Sequence, residues 1–253
     1  MEARNSNLDN LIKLNDIQFV IPVYQRNYDW TEKHCKVLLN DIIEAGKNKK
    51  EHFIGSIVYV NDNKPATSVK ELIVVDGQQR LTTIYLIYLR LYNLLPNGNP
   101  IKNRIYEQYL INKFAVQPSQ KLKLKLTENN NKFLKHLLNT PITIIKGKSN
   151  IIDNYIYFEN NINAGNYKEV LYGLSYLNII DMALDRNIDD PQRIFESLNS
   201  TGLDLSQGDL IRNYILMKLN SKEQEEIYEK YWEYIEKTKV LIRIWFPISL
   251  EIL

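Results

Sequence analysis

Cysteine is almost missing from this chain: Cys35 is the only one in 253 residues. That excludes a disulfide within the chain and a zinc site built on cysteines, and it is in keeping with a reducing cytosol. An excess of one charge is missing too. There are 32 Lys and Arg against 30 Asp and Glu, a formal net charge of +2. No global field therefore marks a nucleic-acid binder, and local clusters must carry any such claim. No apolar run reaches the roughly 20 residues of a membrane span. The N-terminus, Met1-Glu2-Ala3-Arg4-Asn5-Ser6-Asn7, is polar and has no signal-peptide core. The expected compartment is the cytoplasm, with no membrane partner.

Standard catalytic motifs are also absent. His34, His52 and His136 are the only histidines and show no metal-ligand spacing. There is no Gly-x-Ser-x-Gly elbow and no ββα nuclease motif with paired histidines. Gly147-Lys148-Ser149 has the tail of a phosphate loop, but the position that needs the first glycine holds Ile142. Hydrolysis of DNA by this chain alone is poorly supported.

What is present is an ordinary globular composition, 44% hydrophobic and 25% charged, organised around one stretch. Leu72-Ile73-Val74-Val75 reads as a buried strand. Asp76-Gly77 breaks it. From Leu81 to Leu95 nearly every residue is apolar, which predicts a core helix. The turn between strand and helix gathers free backbone N–H groups and the positive end of the helix dipole, a natural anion site. There the chain puts Asp76, Gln78, Gln79 and Arg80. A bland alternative is that Asp76 caps the helix and Arg80 pairs with a surface acid. Two glutamines and an arginine are costly to bury without purpose, which favours a functional reading.

In chain order, Leu8, Leu11, Ile12 and Leu14 predict a short amphipathic helix, and Gln18 to Ile21 a strand. Pro22 to Trp30 is a loop dense in aromatics, with Thr31 as N-cap of a helix over 31–45. Val37, Leu38, Ile42 and Ala45 form its buried face, and Gly46 is its stop. His52 to Val60 is a strand whose Gly55 marks a bulge or a close backbone approach. Pro96 to Pro100 ends the central helix, and Ile101 to Asn112 is helical. Lys121 to Leu126 alternates, predicting a strand with a leucine face and a lysine face. The lysines either lie along a phosphate backbone or protect an edge; the edge is favoured. Helices follow near 128–140 and 150–163, then a strand over 176–184. A helix starts at Asp190-Pro191 and stops at Gly202, and Ser206 caps the next. Ser221 opens a last helix, with Ile227, Tyr231 and Ile235 on one stripe. The end, Val240 to Pro247, is apolar, and such a terminus needs a partner or a continuation. The chain reads as truncated, split or naturally shortened.

Three polar stretches remain for chemistry. Tyr24-Gln25-Arg26 is joined by Tyr28 and Trp30. Asp76 to Arg80 is the second. Phe195 to Asn199 is the third. Arg26 and Arg80 can clamp phosphates in a forked geometry. Gln78 and Gln79 can hold a base edge, a ribose or an attacking water. Asp76 can position a hydrated Mg²⁺ or a water. Tyr24, Tyr28 and Trp30 can stack on a base, although core packing is the commoner fate of any one aromatic. The set suits a nucleotide better than an acyl or glycosyl substrate.

At these residues the chain resembles a known family. Ile21-Pro22-x-Tyr24-Gln25-Arg26-x-Tyr28-x-Trp30, Phe53-Ile54-Gly55-Ser56-Ile57, Asp76-Gly77-Gln78-Gln79-Arg80-Leu81-Thr82 and Ile194-Phe195-x-x-Leu198-Asn199-x-x-Gly202-x-x-Leu205 look like the signature blocks of the GmrSD-type N-terminal domain, the ParB/sulfiredoxin-like module of modification-dependent (type IV) restriction systems. They appear in the family's order over roughly residues 8–220. The resemblance implies an α/β (α+β) fold, a small mixed ParB-like sheet with an added helical half over 1–220, and a helical extension over 221–253. It implies binding and hydrolysis of an NTP, with Mg²⁺ an option, centred on Asp76, Gly77, Gln78, Gln79 and Arg80. Tyr24, Gln25, Arg26, Phe195 and Asn199 would line the nucleotide pocket. Family members sense modified bacteriophage DNA and use NTP turnover to control an HNH-type nuclease domain or a partner subunit. This chain ends near where the linker to such a nuclease would begin. The alternatives are a non-hydrolysing DNA-binding regulatory module and an inactive truncated remnant.

Overall fold

The computed structural model describes residues 2–61, 69–139, 149–185, 188–199, 207–217, 219 and 221–235. The expected stops at Pro141 and Gly202, the cap at Ser206 and the apolar end over 240–247 lie outside them. The chain divides into two compact units. One holds residues 1–22 and 27–191, the other 23–26 and 192–253.

The larger unit is a mixed α/β structure. Its sheet is built from β1 (Glu2–Asn7), β2 (Ile17–Val20), β3 (His52–Asn61), β4 (Lys70–Asp76), β5 (Leu124–Lys125) and β6 (Leu177–Leu184), in the order β1-β6-β3-β4-β2-β5. β4 lies near the centre, antiparallel to β3 and parallel to β2, with Phe19 opposite Leu72. Its residues Leu72 to Val75 are all buried, as a continuous apolar β-branched run requires. β6 runs parallel to β3, and their register shifts between Phe53 and Ser56, so the bulge expected at Gly55 is there. The strands β2, β3, β4 and β6 fall where the sequence pattern puts them. β1 is an addition: its polar residues give no strand signal, and pairing with β6 holds them.

The helix α3 (Gln78–Leu94) fills the core against this sheet. Each fully buried Leu or Ile along it contributes about 1.5–3 kcal/mol. Its two buried tyrosines are tolerated because each hydroxyl has a partner. Tyr85 donates to the Leu110 carbonyl at 2.9 Å. The Tyr88 hydroxyl reaches Asp9 at 3.5 Å, and Tyr109 donates to the same carboxylate at 2.6 Å. Asp9 lies on α1 (Leu8–Lys13) and also pairs with Lys13. The helix α4 (Pro100–Ile105) runs into a π-helical turn over Tyr106–Leu110, and α5 (Glu128–Asn139) follows. α6 (Asn150–Asn161) packs along α3, where Asn93 donates to the Tyr155 hydroxyl at 2.7 Å.

Three expectations change here. The helix α2 (Glu32–Asn48) does not stop at Gly46. It crosses α7 (Tyr167–Ser175), and a Cβ on Gly46 would sit 2.0 Å from the Glu169 carbonyl oxygen. The opposing Gly173 meets the Ile42 carbonyl in the same way, at 1.8 Å. Gly46 is a packing residue, and the helix ends at Lys49 in a left-handed conformation. Val37 is 58% exposed, and Cys35 and Leu39 take its place on the buried face. The alternating lysine segment forms only the two-residue edge strand β5, parallel to β2. Leu122, Leu124 and Leu126 are buried as expected, but so is Lys123. Its ammonium donates to the Ile12 and Leu14 carbonyls, both at 2.8 Å, and so satisfies the C-terminal end of α1. A cavity of about 10 Å³, room for one water, lies among Ile12, Tyr88, Tyr109 and Lys123. Burial lowers the Lys123 amine to a pKa of about 8.

In the smaller unit, α8 (Pro191–Asn199), α9 (Gln207–Leu216) and α10 (Ser221–Ile227) are helices. Arg212 of α9 is buried, donates to the Tyr24 carbonyl at 2.8 Å and pairs with Asp209 at 2.7 Å. That bond ties residues 23–26 to this unit. Gln224 caps the end of α9, donating to the Leu216 and Leu219 carbonyls at 3.0 Å each. A π-helical turn over Tyr228–Trp232 breaks the helical period, and the Tyr231 and Ile235 stripe is exposed.

Candidate phosphate site at the junction of strand and helix

β4 delivers Asp76 to its C-terminal end, and Gly77 turns the chain into α3. Gly77 has φ of +94°, in the left-handed region. A Cβ there would also lie 3.0 Å from the Ser56 carbonyl and from the Ile57 side chain. Only glycine meets both demands. The helix starts at Gln78, three residues before the apolar run, and its first closed bond runs from the Leu81 N–H to the Gly77 carbonyl at 2.9 Å. The N–H groups of Gln78, Gln79 and Arg80 precede that bond and so lack intrahelical acceptors. A carboxylate just before such an end is favoured by the helix dipole.

One turn into α3, the Arg80 guanidinium folds back onto two elements. Nη2 donates to Asp76 Oδ2 at 3.1 Å, and Nη1 donates to the Ile54 carbonyl at 3.0 Å. Ser56 Oγ donates to the same Asp76 Oδ2 at 2.9 Å. Among the described residues, Asp76 Oδ1 and Arg80 Nε have no hydrogen-bond partner. Both side chains are about a quarter exposed, 25% for Asp76 and 22% for Arg80. The guanidinium lies on Gly55, whose φ is +103°, and a Cβ there would be 1.8 Å from Nη1. The close approach expected at Gly55 is the seat of Arg80.

Gln79 serves another purpose. Its Oε1 accepts the backbone N–H of Asp29 at 3.1 Å and of Trp30 at 3.3 Å, while Nε2 donates to the Asn27 carbonyl at 3.3 Å. The amide thus holds the 27–30 loop. Asn154 of α6 holds the same loop, donating to the Trp30 carbonyl at 2.7 Å and the Tyr28 hydroxyl at 3.0 Å. Thr83 donates to the Gln79 carbonyl at 2.8 Å, so the Tyr28 hydroxyl, 2.8 Å from Thr83 Oγ1, donates to that oxygen. Tyr28 is buried, and burial pushes its phenol well above the usual range. Its ring is a core element, which corrects the expectation that it stacks on a base. Trp30 is half-buried and stacks on His34. Cys35 Sγ lies 3.6 Å from the same hydroxyl, and burial pushes the thiol up to about 11.

The junction therefore brings together Asp76, Gly77 and Arg80, with Gln78 buried in the first turn. Tyr24, Gln25, Arg26 and Phe195 belong to the smaller unit, where Tyr24, Gln25 and Phe195 are buried. The Asn199 side chain lies outside the described part. Sequence reasoning left Ile54, Gly55 and Ser56 out of the site. The usable signals were a glycine inside a strand and the likeness of Phe53 to Ile57 to one of the family's signature blocks. Among the described residues, no three His, Cys, Asp or Glu side chains converge as metal ligands. The open Oδ1 of Asp76 is one oxygen donor of the kind that a Mg²⁺ held mainly by waters and phosphates would take. No helix among the described residues is long and apolar enough to cross a membrane.

The chain is similar to the uncharacterized protein MJ0686 of Methanocaldococcus jannaschii, at 24% identity over 251 residues. That alignment covers 85% of this chain and 42% of the archaeal protein, so the chain spans less than half of that relative's length. Residues 8–216, which hold the junction and its Gly55 seat, match the family model described as GmrSD restriction endonuclease, N-terminal domain, and the chain belongs to that family.

Proposed function

We propose that the β4–Gly77–α3 junction binds the phosphates of a nucleoside triphosphate, and that the chain is the nucleotide-dependent sensing part of a modification-dependent restriction system. The observation that carries the reading is the arrangement of charge. A fixed arginine and an open carboxylate oxygen stand beside the N-terminal N–H groups of a buried helix. Arg80 binds phosphate oxygens, together with the α3 N–H groups. Asp76 would hold a water, or a hydrated Mg²⁺ whose charge would offset that of the phosphates. Gln78 orients the nucleotide or the attacking water. Gln79 fixes the 27–30 loop beside them. Phage DNA, including modified DNA, is the proposed target, and the proposed cutting activity comes from an HNH-type nuclease domain or partner.

A thermal-shift panel of ATP, GTP, CTP and UTP, with and without Mg²⁺, tests this. Ligand at 100 times its dissociation constant stabilises by about 2.7 kcal/mol, which raises the melting temperature by roughly 5–10 °C in a protein of this size. One nucleotide should give that rise in wild type and not in Arg80→Ala. No rise with any nucleotide sinks the reading and leaves direct DNA binding or an inactive remnant. The same assay on Arg26→Ala asks whether residues 23–26 contribute.

A further inference from the structure

We infer that Gly55 and Ser56 of β3 are positioning residues of this site, setting the geometry of Arg80 and Asp76 before any ligand arrives; the inference rests on the nucleotide reading for its kinetic consequence, but not for the geometry itself. Nucleotide contacts were expected from Tyr24 to Arg26, from the start of α3 and from Phe195 and Asn199. β3 adds a third wall. At its bulge the strand turns the Ile54 carbonyl toward Arg80 Nη1, at 3.0 Å. The absent Cβ of Gly55 leaves the space in which the guanidinium lies, since an added methyl would stand 1.8 Å from Nη1. Ser56 then donates to Asp76 Oδ2 at 2.9 Å, the oxygen that Arg80 also takes at 3.1 Å.

Two donors on one oxygen have a chemical effect. They fix the plane of the carboxylate and occupy Oδ2. Oδ1 is left as the open acceptor, for a water or a hydrated cation. With the Ile54 carbonyl and Oδ2 occupying one edge of the guanidinium, Nε and the outer N–H groups remain for phosphate oxygens. Arg80 need not search rotamers when the nucleotide binds, which removes an entropic cost from the bound state.

The test compares Ser56→Ala, Ser56→Thr and Gly55→Ala with wild type in turnover of the nucleotide that the thermal panel selects, with Mg²⁺. Ser56→Ala should lower kcat about tenfold, the scale of one hydrogen bond to a charged group. KM should stay within about twofold, because the lost bond acts on Asp76 and not on the phosphates. Ser56→Thr keeps the hydroxyl and should recover most of kcat. Gly55→Ala should raise KM as Arg80→Ala does, since its methyl takes the place of Nη1. Unchanged kcat in Ser56→Ala overturns the inference, as does failure of Ser56→Thr to recover it. A thermal double-mutant cycle of Ser56→Ala with Asp76→Ala, without nucleotide, separates the inference from the nucleotide reading. A fall in melting temperature that Asp76→Ala abolishes supports positioning; an additive fall overturns it. If wild type turns over no nucleotide, the nucleotide reading fails and the cycle alone decides.

Discussion

Gly77 carries two constraints that no other residue type meets together, a left-handed φ and contact with the backbone of β3. Gly77→Ala should cost about 1–3 kcal/mol in urea unfolding, from strain alone. Gln79→Ala should free the 27–30 loop. The Asp29 and Trp30 amides lose their shared acceptor, and their hydrogen exchange should rise well above that of wild type. Gln79→Glu keeps the acceptor for the two amides but sets a carboxylate oxygen against the Asn27 carbonyl. Slow exchange retained in Gln79→Ala would show that the loop is held some other way.

Lys123 makes a prediction with a definite sign. Its folded pKa is about 8, below the 10.5 of the exposed amine. Between these values the unfolded chain binds more protons, so this residue's contribution to stability rises with pH across that window. Cys35 and the buried tyrosines act in the opposite sense, because burial raises their pKa values and their contribution falls as pH climbs past 9 or 10. The difference between wild type and Lys123→Met isolates the lysine. It should shift in favour of wild type from about pH 8 toward 10.5, and a flat difference would sink the assignment.

At the scale of elements, the crossing of α2 and α7 depends on two glycines facing two carbonyls. Neither carbonyl belongs to a flexible side chain that can move aside. Gly173→Ala should therefore cost about 3 kcal/mol, the upper end of overpacking costs, seen as a lower urea midpoint. Sequence reasoning read Gly46 as a helix stop because glycine commonly ends helices, and nothing local announces a crossing helix more than a hundred residues away. The lysine strand failed for a related reason. Alternation assigns Leu122, Leu124 and Leu126 to one buried face, and correctly. It assumes that the other face meets solvent, whereas two carbonyls ending α1 lie there and take Lys123. β3, β4, α3 and β6 were legible because their apolar runs match the period of the element each forms.

At the scale of the whole molecule, the near balance of charge limits direct DNA binding. Affinity for an unmodified duplex should stay in the non-specific range, a dissociation constant of about 10⁻⁴–10⁻⁶ M at physiological salt. Fluorescence anisotropy checks this. Tight binding that weakens steeply between 50 and 200 mM salt would favour phosphate contacts along DNA over a nucleotide pocket. The chain spans 42% of the length of its archaeal relative.

The sequence alone determined the strand–glycine–helix junction, the strands β2, β3, β4 and β6, and the chemical kinds of residue at the site. Those follow from periodicity, from turn chemistry and from side-chain type, which are properties of neighbours along the chain. Tertiary structure decided which of those residues act together. It seated Arg80 on Gly55, joined Ser56 to Asp76 and turned Gln79 toward the 27–30 loop. It also placed Tyr28 in the core and Lys123 under α1. Each of those outcomes is a hydrogen bond or a close approach between segments far apart in sequence. Only the folded backbone sets such distances, and no local pattern encodes them.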